Sequence, residues 1–275
     1  MQCFEISRIL DNIKKKKYSN DFFIESISDK INRDERCVEI PYALSRYAGQ
    51  KNILEIGLSL ADINLVKSQI LLKKYTNANL CACDIVDINR VKNRFIELDE
   101  DVSLEYEFSQ TDVRKTSYND SIFDFIFLIS TLEHVGFDEF DANNSSNSVF
   151  LRDKIVPKNL PIYEDCNEDV NALIELSRIL KKNGSIIITL PFGKRGICLL
   201  KDSKNLFSMY KEYSYEAWKK LISKTGLTIV ESSFFSYDKK FGWINVENSD
   251  DIDNSLVSIE SPVKNVICAE LKKMF

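Results

Sequence analysis

Residues 52–57 read NILEIG, an apolar-rich run of strand type closed by a glycine. A glycine directly after such a strand lets the chain turn sharply and lets a ligand approach the backbone closely. Working outward, runs of the same kind recur at NLCACDI (79–85), SLEYEFS (103–109), FDFIFLIS (123–130), SIIITLP (185–191), LTIVESSFF (227–235) and VKNVICAEL (263–271). The first five are separated by segments long enough for crossover helices. Several are continuously apolar, as strands covered on both faces must be. The expected architecture is α/β: a doubly wound, mostly parallel, seven-stranded sheet.

Around this sheet the chain divides in two. Residues 1–50 look helical, with Ile6, Ile9, Leu10 and Ile13 at helical spacing and then Phe22, Phe23, Ile24, Ile27 and Ile31. They read as an N-terminal helical cap ahead of a main domain at 51–275. Within that domain, 137–168 is a polar connection far above the usual loop length, which reads as a lid-like insertion. In Leu180-Lys181-Lys182-Asn183-Gly184, the glycine suits a left-handed helix cap before the fifth strand.

Composition narrows the function. With 37 Lys plus Arg against 42 Asp plus Glu, the formal charge is -5, so no global positive field draws in phosphate backbones and nucleic acid is not an expected partner. The longest uncharged, apolar-rich run, Ser185 to Gly193, is far short of the roughly 20 residues a membrane helix needs. The opening MQCFEISRIL lacks the charged-then-apolar order of a signal peptide, so a cytoplasmic location is expected. Seven cysteines without paired CxxC motifs read as reduced, mostly buried thiols, and Cys81 and Cys83 as core packing on one strand face.

In an open α/β sheet ligands bind beyond the carboxyl ends of the strands, so the strand-to-loop junctions carry the chemistry. The first strand ends in Glu55-Ile56-Gly57-Leu58-Ser59-Leu60-Ala61-Asp62. The second ends in Asp84, about 27 residues after Gly57, near the offset at which an acid accepts hydrogen bonds from both hydroxyls of a nucleoside ribose. The third is followed by Gln110-Thr111-Asp112-Val113, and the fourth by Ser130-Thr131-Leu132-Glu133-His134-Val135-Gly136.

Taken together, ILEIG, CDIVD, TDV, FDFIFLISTLEHVG and ELSRILKKNGSIIITLPFG resemble, in order and spacing, the motifs of class I S-adenosylmethionine-dependent methyltransferases. The resemblance covers roughly residues 38 to 271. It is nearest the branch associated with bacterial cell-surface polysaccharide biosynthesis, through Glu39-Ile40-Pro41-Tyr42, Ser130 to Gly136, and Thr189-Leu190-Pro191-Phe192-Gly193. It implies a Rossmann-like methyltransferase fold and S-adenosylmethionine as cofactor. Position by position, it implies that Glu55 and Gly57 line the methionine half of the cofactor. Asp84 would take the ribose hydroxyls, Asp112 the adenine amino group and Ser130 a place in the wall, with Ser59 and Val113 beside them. The family's usual G-x-G-x-G stands here as Gly57-x-Ser59-x-Ala61, small side chains that preserve access.

The implied reaction is methylation of a hydroxyl on a sugar or sugar-nucleotide precursor of a surface polysaccharide. The alternatives are methylation of a small phosphorylated or nucleotide-activated metabolite, and a catalytically silent binding module. Methyl transfer is an in-line displacement that needs alignment and, for a hydroxyl, removal of a proton. His134, the one histidine, is a candidate general base and equally a residue that holds its loop; Glu133 and Asp138 are the alternative bases. One histidine and no HxxxH pattern provide no metal-ligand set. Acceptor contacts are expected from Tyr42, Tyr163, Lys194, Arg195, Tyr210 and Trp243, because aromatic rings with Lys and Arg suit a sugar carrying a phosphate or nucleotide.

Overall fold

The computed structural model describes residues 34–98, 101–136, 167–193, 196–201, 207–238, 240–246 and 263–274, with the backbone alone at 196–201 and 207–209. Residues 1–33 of the expected cap, 137–166 of the expected lid, and the candidates Asp138, Tyr163, Lys194 and Arg195 lie outside the described residues.

The chain enters through helix α1 (Arg36–Ser45) and strand β1 (Asn52–Ile56). A short 3-10 turn (Leu58–Leu60) leads to α2 (Ile63–Thr76), then β2 (Asn79–Asp84), α3 (Ile88–Arg94), α4 (Val102–Glu105), β3 (Glu107–Gln110) and β4 (Phe123–Ile129). A second 3-10 turn (Leu132–His134) follows β4. The described chain resumes with α5 (Glu168–Ile179), β5 (Leu180–Pro191), β6 (Gly196–Lys201), β7 (Phe207–Glu212), α6 (Tyr215–Ser223), β8 (Thr228–Asp238), β9 (Gly242–Val246) and β10 (Asn265–Lys272).

The main sheet has the order β3-β2-β1-β4-β5-β10-β8-β9, and β6 and β7 form a separate antiparallel pair. Strands β3, β2, β1, β4 and β5 are mutually parallel. β10 runs antiparallel to both β5 and β8, and β9 antiparallel to β8. The order reverses at β1, which sends the chain outward on both sides and leaves a crevice over the carboxyl ends of β1 and β4.

Side-chain alternation explains the layers. Along β4, Phe125 and Phe127 pack on one face with Tyr42 and Leu44 of α1 and Leu65 and Val66 of α2. Ile126 and Leu128 pack on the other with Leu173 and Leu176 of α5 and Trp218 and Leu221 of α6. Each such fully buried aliphatic or aromatic side chain contributes about 1.5–3 kcal/mol. The helices start where their caps stand: Asp62 accepts from the Asn64 N–H, Asp87 from those of Asn89 and Arg90, and Ser214 from that of Ala217. Helix α1, the described part of the 1–50 segment, belongs to the same cluster as the sheet. Among the described residues no helix is long and apolar enough to cross a membrane.

Four details differ from the sequence reading. The main sheet has eight strands rather than seven, because GWINV forms β9 on the outer edge of β8. The β6–β7 pair was not anticipated. Residues 103–105 are helical rather than extended, since the Asp101 carboxylate accepts the Ser103 N–H at 2.9 Å and nucleates α4, which leaves β3 to begin at Glu107. Finally, α5 ends at Ile179 and β5 begins at Leu180, so Gly184 is no helix cap; the left-handed residue is Asn183, at φ 63°. Gly184 serves close packing instead, as an added Cβ there would lie 2.8 Å from Leu180 Cδ1.

Candidate active site

A cavity of about 200 Å³ opens over the carboxyl ends of β1, β2 and β4, lined among others by Arg36, Gly57, Ser59, Asp84, Ile85, Asp112, Val113, Ser130, Thr131 and His134. Gly57 begins its floor at φ 82° and ψ 41°, a left-handed conformation that a side chain resists. An added Cβ would also lie 2.9 Å from both Cγ2 and Oγ1 of Thr131. The glycine therefore serves both the turn and the close approach of the turn after β4.

At the end of β2, one oxygen of Asp84 accepts the Ser59 N–H at 2.8 Å and the other accepts the Val86 N–H at 3.2 Å. These two bonds fix the carboxylate plane at the cavity wall and leave lone pairs for a ligand's hydroxyls. Ser59, small and buried, thus contributes its backbone rather than bulk. Exposed Leu60 and Ile85 form apolar lips, with buried Val113 nearby.

Asp112 is at the cavity, but its carboxylate is clamped by Arg114, whose Nε lies 3.0 and 2.9 Å from the two oxygens and whose Nη2 lies 2.6 Å from one of them. This bonding to Arg114 holds the Asp112 carboxyl below its ordinary range. The same guanidinium reaches Glu168 at the start of α5 at 2.9 Å. Ser130 sits at φ 45°, and its N–H lies 3.1 Å from both the carbonyl and the hydroxyl oxygen of Thr189.

His134 is half-buried and lines the cavity, its ring 6.4 Å from that of buried Tyr210 on β7. Glu133 is 2% exposed and does not itself line the cavity, and its Oε2 has no hydrogen-bond partner among the described residues. Burial pushes its carboxyl up to about 8.

Besides Glu133, three expected site residues lie elsewhere. Glu55, on the same face of β1 as Ile53, does not line the cavity; it is buried against α2, where it accepts from Gln69 Nε2, and Gln69 in turn accepts the Tyr106 hydroxyl at 2.6 Å. Burial raises its carboxyl to about 8. Tyr42 is fully buried in the core, with the Arg46 guanidinium 4.4 Å from its ring centroid, and Trp243 on β9, four strands from β4, packs against Tyr237 of β8. Neither reaches the cavity. Conversely, the sequence reading missed Arg36, a quarter-exposed cation in the cavity wall, and Arg114. An Arg–Glu pair at i,i+3 and an Asp–Arg pair two apart are common surface patterns and carried no signal of a site.

No protein-family model matches the chain, and no curated protein matches it in sequence. Solved structures do match its shape. A SAM-dependent methyltransferase from Methanosarcina mazei aligns over 82% of this chain and 94% of its own, at 12% identity and a TM-score of 0.50. The 1,6-didemethyltoxoflavin-N1-methyltransferase of Burkholderia thailandensis, a complex with 1,6-didemethyltoxoflavin and S-adenosylhomocysteine, aligns over 100% and 92%, at 11% identity and 0.50. The fold is the Rossmann-like methyltransferase fold. SpnF, a [4+2]-cyclase, aligns equally well, over 98% of this chain and 93% of its own, at 11% identity and 0.51. At such identities the likeness is one of fold, and a cyclase among the neighbours leaves the chemistry to be argued from the site.

Proposed function

We propose that the chain is an S-adenosylmethionine-dependent methyltransferase that methylates a small acceptor, a hydroxyl of a sugar or sugar-nucleotide precursor. The observation that carries the cofactor reading is the placement of Asp84 and Gly57 in one cavity. A carboxylate oriented by two N–H groups lines the cavity together with a left-handed glycine, where a side chain would be strained and would collide with Thr131. The donor set fits the cofactor at both ends. Asp84 would accept from the ribose hydroxyls, Ile85, Leu60 and Val113 would flank the adenine, and Arg36 would face the amino-acid carboxylate. When bound, the cofactor supplies an electrophilic methyl group on a sulfonium.

The protein's own residues then bind, align and accept a proton. Gly57 and Ser130 border the cavity from the two strands that flank the topological reversal. His134 is the imidazole in the cavity wall, and it would take the proton that an acceptor hydroxyl gives up. Glu133 is less suited to that role, because it is buried and does not line the cavity. The sugar acceptor rests on the sequence resemblance, and the hairpin β6–β7 beside His134 is the element that would meet it.

The test is incubation with methyl-labelled cofactor and a panel of free and nucleotide-linked sugars. Label should appear on a sugar hydroxyl. His134→Asn should lower that turnover by about 10² to 10⁴ while leaving affinity for S-adenosylhomocysteine unchanged. Label transfer confined to amines, or full turnover in the variant, would contradict the acceptor or the base.

A further inference from the structure

Two polar groups face the cavity from distant parts of the chain, the Arg36 guanidinium from α1 and Ser130 from the turn after β4, and one side chain holds both. Glu39 is wholly buried. Its Oε2 accepts from Arg36 Nη1 at 2.6 Å, and its Oε1 accepts from the Ser130 hydroxyl at 3.0 Å. Ser130 occupies a left-handed backbone conformation that a non-glycine residue keeps only when its surroundings fix it, and the Glu39 and Thr189 contacts are those surroundings. A carboxylate suits this post: it accepts on both oxygens and balances the guanidinium, whereas an amide accepts on one and would turn an N–H toward Arg36 or Ser130.

The cavity runs from the acids Asp112 and Asp84, beyond β3 and β2, to Arg36 and Ser130 beside β4. A nucleoside with its ribose at Asp84 therefore extends its tail toward the cation. We propose that Glu39 is a positioning residue for the amino-acid half of the cofactor: it touches no ligand, but it sets the Arg36 guanidinium and the Ser130 hydroxyl where that half must sit. This inference rests on the cofactor reading above. It also gives a task to the Glu39-Ile40-Pro41-Tyr42 motif, whose tyrosine lies in the core.

The experiment compares two ligands by titration calorimetry. S-adenosylhomocysteine carries the adenosine and the amino-acid tail, while 5′-methylthioadenosine carries the adenosine without that tail. In Glu39→Gln, affinity for the first should fall tenfold or more and affinity for the second should stay within about twofold of wild type. Equal weakening of both, with a drop in melting temperature, would show that Glu39 serves only the fold and would overturn the proposal; so would unchanged affinity for both. Ser130→Ala, which leaves the Arg36–Glu39 pair in place, provides a milder second probe. It should discriminate between the two ligands in the same direction by about threefold, and equal affinities would count against the proposal. Wild-type protein that binds neither ligand would instead overturn the cofactor reading itself.

Discussion

The Ser59 and Val86 N–H groups already point at the Asp84 carboxylate, so its orientation is set before any ligand arrives. Charge-assisted hydrogen bonds to such an acceptor are worth about 1.5–3 kcal/mol each. Asp84→Asn keeps the shape but loses the charge and one acceptor, so affinity for S-adenosylhomocysteine, read by calorimetry, should fall tenfold or more; the amide also turns an N–H toward that of Ser59 or Val86, so the melting temperature should fall as well. Glu55 makes the opposite case, an acid that serves the interior. Its position two residues before Gly57 suggested the cavity, yet strand alternation turns it to the face of Ile53 and leaves Ile56 at the cavity. Burial raises its carboxyl from 4.5 to about 8, as it does that of Glu133. The native state thus holds protons that the unfolded chain releases above about pH 4.5. The contribution is full below that value, declines as pH rises toward 8, and is level beyond it. Glu55→Gln, which cannot ionise, should flatten the fall in melting temperature between pH 5 and 8, measured by thermal denaturation at a series of pH values. An equally steep fall would remove Glu55 as its source.

At the scale of elements, the turn that ends β1 is constrained both by its backbone conformation and by close packing. Gly57→Ala must adopt a left-handed conformation, at roughly 1–2 kcal/mol, and place a Cβ against Thr131. The variant should melt lower and bind S-adenosylhomocysteine more weakly. Adding Thr131→Ser, which removes Cγ2, should restore part of both, and no restoration would show that the contact is not the cause. This turn was legible because a glycine after an apolar strand has few other uses. The helix-to-strand change at 179–180 was not, since ELSRILKKNG carries helix formers up to its glycine and only pairing with β4 and β10 decides where the strand begins. Nor was β9, whose five residues gain their strand from pairing along β8. Trp243, which as one of a series of aromatics near Lys and Arg suggested sugar contact, is held in the core by that same pairing.

At the scale of the whole molecule, the parallel half of the sheet and its crevice followed from the spacing of apolar runs, and Asp84 from its offset after Gly57. The cations did not: Arg36 reaches the cavity wall from α1, a tertiary placement that no local pattern encodes, and Arg114 meets the site only through Asp112, which it clamps from two residues away. The molecule also holds a larger hollow, of about 580 Å³, between Lys73 and Lys74 of α2 and Asn79. It lies at the amino end of β2, whereas open α/β sheets bind at the carboxyl ends, so volume alone misplaces the site. Calorimetric titration of the wild-type chain with S-adenosylhomocysteine, beside Asp84→Asn, tests whether the crevice over β1, β2 and β4 takes S-adenosylmethionine. One ligand per chain is expected, bound tenfold or more weakly by the variant; no heat of binding in the wild-type chain, or equal affinity in both, would rule that site out.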